Sequence, residues 1–289
     1  MNVVTYPDAL VFLAATEDFR AAEPVLTNVI GSVAQSVAAG RAYPAVFWYA
    51  VLDDDGSVIG CALRTAPWFL TMSPMPSEAA RALAHVVAEV DPGVPGVAGP
   101  EDVVAAVISA LGKRAEARVD FREHVQVLHE FQRPAPIDGV LRHGTVEDIG
   151  LLVDWLEQFS AEVGLPAFDL PGAVAGRLAD DAYRIWTVEG APVSLAGHAP
   201  IVQTPAGSVA RIGPVFTPAH LRGRGYASAV TAALSDELLQ RCAVVMLFTD
   251  AANPTSNAVY ARLGYKVVAD VVEVSFAESP GQVDSPSIP

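Results

Sequence analysis

Hydrophobic residues in the second half of the chain recur first at helical spacing and then at the two-residue spacing of strands. Thr145, followed three residues later by Asp148, forms a capping-box pattern that marks the start of a helix. Turn residues at 189–192 and 204–207 separate extended segments and favour an antiparallel meander. The predicted elements are a strand at 140–143, helices at 145–163 and 170–180, and strands at 184–189, 192–203 and 208–217.

A second set of elements completes this half. Val230, Leu234 and Leu238 share one face of the next predicted helix, and the apolar run at 244–249 predicts a buried strand. Gly264 is a typical stop for the short helix that follows. These elements are a helix at 225–242, a strand at 244–249, a helix at 254–263 and a strand at 265–276. The whole pattern predicts a mixed α/β fold (α+β) with a mostly antiparallel sheet.

The first half of the chain repeats this order of elements. An acidic turn at 53–56 joins two strands into a hairpin. The turn at 73–77 contains two prolines and no arginine, so we expect no anion site there. The elements are strands at 47–52, 57–63 and 68–72, helices at 78–90 and 101–111, and a strand at 123–131. We therefore expect two similar folds in tandem, the first degenerate; an unrelated α/β cap domain is the alternative.

A proline-rich stretch at 133–139 interrupts regular structure and predicts the boundary between the two halves. The predicted domains are thus 1–138 and 139–279. The last residues, 280–289, are rich in Pro and Ser and are expected to form a disordered tail. Pockets favour domain junctions, so the first domain is expected to shape an acceptor cleft.

Composition excludes several partners. The 289-residue chain has a formal net charge of −15, whereas nucleic-acid binders need a basic face, so we expect no nucleic-acid partner. The acidity favours a cationic substrate such as an amine, although solubility explains it equally well. No apolar run is long enough to cross a bilayer, and the N-terminus lacks signal-peptide features, which predicts a cytoplasmic protein without a membrane partner. Cys61 and Cys242 lack partners at metal-ligand spacing, so we expect no metal.

The turn at 217–227, between a strand and a helix, carries the clearest chemistry. Gly223 and Gly225 allow consecutive main-chain amides to point into one concavity, and the helix start adds unpaired amides. Arg222 and Arg224 add positive charge where a pyrophosphate would bind. The alternative is a tight turn with two solvated arginines.

A second motif lies at 253–265. Asn253, Ser256 and Tyr260 are spaced to share one face of a helix, so an amide, a hydroxyl and a phenol can meet one ligand. Taken singly, Asn253 is also a good helix cap and Tyr260 a good core aromatic.

With both motifs, the sequence resembles the GCN5-related N-acetyltransferase (GNAT) superfamily, whose signature Arg/Gln-x-x-Gly-x-Gly/Ala matches residues 222–227. The resemblance spans about 139–278 and is most specific over 213–265. It implies tandem acyl-CoA N-acyltransferase-like folds, the C-terminal one intact, and acetyl-CoA (coenzyme A) as co-substrate. The residues it implies for the pyrophosphate are Arg222, Gly223, Arg224, Gly225, Tyr226, Ala227 and Ser228.

The resemblance also assigns roles to the two segments beside this turn. Val215, Phe216 and Thr217 would pair with the pantetheine arm like an added strand, and one of their amides would polarise the thioester carbonyl. Asn253 would contact the pantetheine and Ser256 would lie near the cofactor. Tyr260 would be the catalytic acid that protonates the leaving CoA thiolate.

The general base is not fixed by the residues. The strand at 208–217 has no Asp or Glu, so a carboxylate that is common there in the superfamily is absent. Asp250, at the end of the next strand, is the catalytic candidate; orienting the loop before Asn253 is its other role, and a water relay is a third possibility.

The implied reaction is direct acetyl transfer to a primary amine of a small molecule, peptide or protein. Transfer of a longer acyl group is an alternative, as is a non-catalytic acyl-CoA-binding regulator. Members of the superfamily often dimerise, but a tandem pair can satisfy that interface within one chain, so the protein is expected to be a monomer or a homodimer.

Overall fold

The structure, a computed structural model, describes residues 1–164 and 170–276. The chain forms two compact units, one of Met1–His124 together with the residues from Ala269 onward, the other of Val125–Val268. The predicted domain boundary at 138/139 lies inside the second unit, and the predicted tail at 280–289 lies outside the described residues.

The first half of the chain begins with a strand, which three helices and then three strands follow, and it ends with alternating helices and strands. Its strands are β1 (Asn2–Thr5), β2 (Val46–Leu52), β3 (Val58–Thr65), β4 (Leu70–Met72), β5 (Gly96–Pro100) and β6 (Ala117–Leu128). Its helices are α1 (Ala9–Ala15), α2 (Glu17–Ala22), α3 (Asn28–Ala38), α4 (Ser77–Val90) and α5 (Glu101–Ala110).

The second half follows a similar order, with two α-helices instead of three after its first strand and with one additional short strand. Its strands are β7 (Val140–His143), β8 (Tyr183–Val188), β9 (Ala191–His198), β10 (Val202–Thr204), β11 (Gly207–Phe216), β12 (Val244–Asp250) and β13 (Tyr265–Phe276). Its helices are α6 (Ile149–Val163), α7 (Leu170–Ala179), α8 (Tyr226–Leu239) and α9 (Pro254–Leu263).

In the first unit the strand order is β1-β2-β3-β4-β5-β13, and all neighbours are antiparallel except β4 and β5. Helices α4 and α5 pack on one face, where Leu83 and Val104 meet Val272 and Val274 of β13 in a single apolar core. Helices α1 and α3 cover the other face of β2 and β3 through Phe12 and neighbouring side chains. Most of the pairs are antiparallel, as the sequence predicted.

In the second unit the order is β6-β12-β11-β9-β8-β7, with β10 paired to β11. Helices α8 and α9 pack on one face, where Val230 and Leu263 meet Val245. Helices α6 and α7 cover the other face, where Trp155 and Val174 are buried. The parallel pair β11–β12 lies inside this otherwise antiparallel meander.

Most predicted element boundaries agree with the structure within a few residues. The predicted strand at 192–203 is wrong as a single element, because Pro200 lacks an N–H donor and separates β9 from β10. The predicted strand at 123–131 begins earlier, at Ala117, since Arg118, Asp120 and Arg122 alternate with apolar residues as in a strand. Over 1–164 and 170–276, no helix has both the length and the apolar character that a membrane crossing requires.

Candidate active site

The turn between β11 and α8 leads into a helix start that lacks a side-chain cap among the described residues. Residues Ala219–Leu221 form one 3₁₀ turn. Gly223 and Gly225 follow with φ of +77° and +83°, a left-handed conformation that is strained for residues with a Cβ. Helix α8 begins at Tyr226, and no side chain caps it. Its first amides therefore have no side-chain partner among the described residues, and helix starts of this kind bind phosphates.

The two arginines of this turn have different surroundings. Arg222 donates from Nε to the carbonyl of Thr217 at 2.8 Å and from Nη2 to both oxygens of Glu162 at 2.7 Å. Its guanidinium also lies 5.8 Å from the centre of the Phe216 ring. Arg224 is exposed and makes no hydrogen bond or ion pair to any residue that the structure describes. Arg222 thus shapes the turn, whereas Arg224 is available to an anion.

Strands β11 and β12 separate just before this turn. Their parallel pairing joins Val209–Ile212 to Val244–Leu247 and ends there. A bulge in the pairing of β11 with β9, between Ile212 and Val215, accompanies the separation. The main chain of β11 at 213–216 is therefore not paired to β12, which leaves an edge to which an extended ligand can add.

The unpaired end of β11 is held from its other side. Ser194 is fully buried, and its hydroxyl donates to the carbonyl of Phe216 at 3.0 Å and lies 2.8 Å from the hydroxyl of Thr217. Arg177 of α7 donates from Nη2 to the carbonyls of His198 and Gly213 at 2.6 and 3.0 Å. Both contacts fix the bulged segment in place.

The side chain of Phe216 is part of the core. Its ring lies 6.2 Å from that of Trp155 and 6.5 Å from that of Phe159, measured between ring centres. Val215 is half-buried and packs against the core beneath α8. Only the main chain of these residues is available to a ligand.

The loop after β12 is built around Asp250 and Asn253. One oxygen of Asp250 accepts from the amide of Ala252 at 2.8 Å, and its carbonyl accepts from the amide of Asn253 at 3.0 Å. Asn253 is the N-cap of α9 and accepts from the amide of Ser256 at 3.1 Å. Asp250 and Asn253 are exposed, and Ser256 is half-buried. Asn253 therefore caps the helix and Asp250 orients the loop, which are the structural alternatives to their functional roles.

Asn257 connects α9 to the sheet, and the sequence motif did not reveal it. Its Oδ1 accepts from the hydroxyl of Thr249 at 2.7 Å and from Nε2 of Gln126 at 3.3 Å. Its Nδ2 donates to the carbonyls of Asp250 and Ala251 at 3.1 and 3.4 Å. Gln126 also donates to Thr249 at 2.8 Å. The polar Gln126 inside an apolar strand pattern was the one available signal.

Tyr260 lies one turn further along α9. Its ring meets that of Tyr265 edge-on, with 5.9 Å between ring centres, and the hydroxyl of Tyr265 lies 2.7 Å from that of Ser235. Burial raises the pKa of Tyr260 to about 12. Among the described residues, none forms a hydrogen bond with its hydroxyl. The phenol therefore keeps its proton at neutral pH and has that proton free for a ligand.

His198, on β9, is buried and neutral in character. Nδ1 lies 2.8 Å from the carbonyl of Ala199, and Nε2 lies 3.4 Å from Nη2 of Arg241. Desolvation lowers the pKa of His198, and the charges of Arg241, Arg177 and Arg184 lower it further. A neutral imidazole with both nitrogens engaged is a structural group.

One group of described side chains has the composition of a metal site. Ligand atoms of His143, Asp181 and Glu237 lie within 4.8 Å of one another. Arg184, whose side chain is 0% exposed, forms ion pairs with both carboxylates and donates from Nε to Glu237 at 2.7 Å. The arginine supplies the positive charge that these carboxylates need, so the group is an ion-pair network.

The predicted residues thus fall into two segments that follow β11 and β12. Because these strands are parallel neighbours, both segments lie at the same edge of the sheet. The first contributes amides and Arg224; the second contributes the exposed Asn253 and the phenol of Tyr260. Such an edge can hold an extended, anionic ligand and offer a proton to its end.

One family model matches part of the chain. Residues 194–274 match the model of a family described as FR47-like protein. No curated protein sequence matches the chain.

Solved structures extend the similarity to nearly the whole chain. A GNAT-family acetyltransferase from Colwellia psychrerythraea is 14% identical, with a TM-score of 0.60 over 96% of this chain and 100% of its own. A GCN5-related N-acetyltransferase from Sphaerobacter thermophilus is 14% identical, with a TM-score of 0.62 over 95% of each chain. A tandem GNAT protein from the clavulanic acid biosynthesis pathway is 15% identical, with a TM-score of 0.59 over 94% and 97%. The fold predicted from the sequence is confirmed.

Proposed function

We propose that this chain, a member of the GNAT superfamily by fold with an FR47-like segment at 194–274, transfers an acetyl group from acetyl-CoA to a primary amine. One observation carries the proposal: β11 and β12 separate directly before a turn whose amides are uncapped. An extended chain with a pyrophosphate at one end and a thioester at the other has the shape and charge that this edge accepts.

In the proposed complex, the pyrophosphate binds the amides of 223–228, with Arg224 as its cationic partner. The pantetheine arm adds to the unpaired edge of β11 at Val215, Phe216 and Thr217. Asn253 and Ser256 contact it from α9. The separation of the strands, and the exposure of Asn253, support this arrangement.

The proposed reaction is a direct transfer. The amine nitrogen attacks the thioester carbonyl carbon, and the C–N bond forms while an amide of β11 stabilises the oxyanion. Collapse of this intermediate breaks the C–S bond, and the sulfur takes the proton of Tyr260. The amine loses its proton to water or to Asp250, and solvent restores the phenol. The products are the N-acetylated amine and CoA with a free thiol.

Tyr260 supports a catalytic enzyme over a protein that only binds acyl-CoA. A phenol with a pKa of about 12 is protonated at neutral pH and is ready to donate. A binding protein gains nothing from such a donor at this position. The formal charge of −15 supports a cationic acceptor, which in this proposal is a small-molecule, peptide or protein amine.

Calorimetric titration with acetyl-CoA tests the proposal. We expect binding near the micromolar range that Gly225→Asp abolishes, because a carboxylate would enter the anion site. Gly56→Asp is the matched control: Gly56 has φ of +82°, close to the +83° of Gly225, and no atom within 4 Å of an added Cβ. Absence of binding by the intact protein would overturn the proposal.

A second experiment distinguishes acetyl transfer from the two alternative functions. Release of CoA thiol is measured with acetyl-CoA and a panel of primary amines, including polyamines, amino sugars and peptide N-termini. Binding without release for any amine would instead identify an acyl-CoA-binding regulator. Faster release of CoA thiol from butyryl-CoA or hexanoyl-CoA than from acetyl-CoA would show that the transferred group is a longer acyl group.

A further inference from the structure

We infer that the hydrogen-bonded group of Gln126, Thr249 and Asn257 positions α9, and with it Tyr260, for proton donation. This inference rests on the proposed acyl transfer. The three side chains come from β6, β12 and α9 of the second unit. None of them is among the residues predicted for the site, although Asn257 lies within the motif at 253–265.

The three side chains form a closed group, in which two are buried and Asn257 is half-buried. Gln126 is 2% exposed and Thr249 is 5% exposed. Thr249 Oγ1 accepts from Gln126 and donates to Asn257, so both of its hydrogen-bonding roles are used. Because such buried groups depend on one another, removal of one hydroxyl leaves the other partners poorly satisfied.

Few side chains of helix α9 are fully buried. Of its ten residues, only Leu263, at the last turn, is fully buried. Asn257 anchors the middle of the helix to β12, and its Nδ2 also holds the loop through the carbonyls of Asp250 and Ala251. Val259 and Tyr260 are only partly buried against the core. Hydrogen bonds therefore contribute much of what fixes the first two turns of α9.

Tyr260 follows Asn257 by three residues and therefore lies on the adjacent turn of the same face. A small rotation of α9 about its last turn would move the phenol relative to the sulfur of the thioester. The pyrophosphate turn belongs to β11 and α8, which this group does not touch. Asn253 and Ser256 do lie at the start of α9, so a shift of this helix weakens part of the proposed pantetheine contacts while the pyrophosphate contacts remain. The group should therefore affect the chemical step more than cofactor binding.

Two variants at one position test the inference. Thr249→Val preserves shape but removes the hydroxyl, and Thr249→Ser keeps the hydroxyl. With acetyl-CoA and the most active amine of the panel, we expect Thr249→Val to lower kcat by about tenfold or more, as small misplacements of catalytic groups do. We expect its Kd for acetyl-CoA to rise by a smaller factor than kcat falls, and Thr249→Ser to keep kcat within about twofold.

Gln126→Met, which removes the donor from β6 at similar volume, provides a second variant if Thr249→Val does not fold. The same fall in kcat with a smaller change in Kd is expected. Combining either variant with Tyr260→Phe should produce no further loss, because the group acts through that phenol.

The outcomes are distinguishable. If wild type releases thiol and Thr249→Val does so at the same kcat, the positioning role is wrong while the proposed function stands. Equal losses of kcat in Thr249→Val and Thr249→Ser would also overturn it. If wild type neither binds acetyl-CoA nor releases thiol, the proposed function itself fails.

Discussion

Both carboxylate oxygens of Glu162 lie 2.7 Å from Nη2 of Arg222, which ties the last turn of α6 to the turn before α8. Their side chains are 45% and 47% exposed, so water and salt reach the pair. A pyrophosphate bound at the adjacent amides would compete with Glu162 for the same guanidinium. The carboxylate therefore opposes the anion that the turn is proposed to bind.

We expect Glu162→Gln to tighten acetyl-CoA binding by about two- to fivefold, since exposed ion pairs are worth at most about 1 kcal/mol. The gain should shrink as salt rises, because screening weakens exposed charges. Calorimetry at low and high salt measures both effects. Glu157→Gln, an exposed glutamate on the same helix, is the control for a change in net charge. Weaker binding by Glu162→Gln would show that Glu162 orders Arg222 for the ligand.

The raised pKa of Tyr260 makes a prediction about pH. Its value of about 12 lies above the ordinary 10.0, so the phenol stays protonated through the range in which free tyrosine ionises. We expect Tyr260→Phe to lower kcat by about a hundredfold or more, by the same factor at every pH from about 7 to 10. Parallel pH–rate profiles of the two proteins measure this. A factor that shrinks steadily above about pH 9 would mean that the phenol ionises at its ordinary pKa.

The lowered pKa of His198 leads us to expect a loss of stability in mild acid. Its pKa is lowered from 6.5, chiefly by burial, so the folded state favours the neutral ring. This contribution is present above pH 6.5 and is lost as pH falls toward the folded pKa. We expect the Tm of wild type to fall between about pH 6.5 and 5 more than that of His198→Gln, which cannot gain a proton. Thermal unfolding at a series of pH values measures the difference. The same dependence of Tm on pH in both proteins would contradict the prediction.

The ion-pair network around Arg184 predicts an asymmetric response to mutation. Glu237→Ala should destabilise the fold by about 3 kcal/mol, because it leaves a buried guanidinium with fewer partners. The double variant Arg184→Met/Glu237→Leu should recover most of that loss, since apolar groups can replace a buried ion pair. Urea unfolding measures both. If Zn²⁺ raised the Tm of wild type, His143, Asp181 and Glu237 would instead act as a metal site.

The sequence predicted the fold of the second half well because its signals are local. The capping box of Thr145 and Asp148 is present, and α9 runs from Pro254 to Leu263 as its start and stop residues indicated. The glycine turn could be located for the same reason, since positive φ at Gly223 and Gly225 is a property of single residues.

Contacts between distant segments could not be predicted in this way. Glu162 and Arg222 are 60 residues apart, and Gln126 and Thr249 are 123 apart. No periodicity links such residues, because their proximity depends on how the strands are ordered in the sheet. The predicted boundary at 138/139 has the same weakness: proline content marks an interruption of regular structure but not which strand joins which sheet.

The first unit needs strand β13 to complete its sheet and its core, although β13 lies far along the chain from the rest of that unit. Its residues 271–275 pair with β5 over Gly96–Pro100, and Val272 and Val274 are buried in that unit's core. A ribosome makes Gly96 long before Val272, so the first unit cannot close its sheet during synthesis until the second has almost emerged. The part of the protein that is translated first is thus completed last, and its exposed β5 edge needs protection from aggregation during that interval.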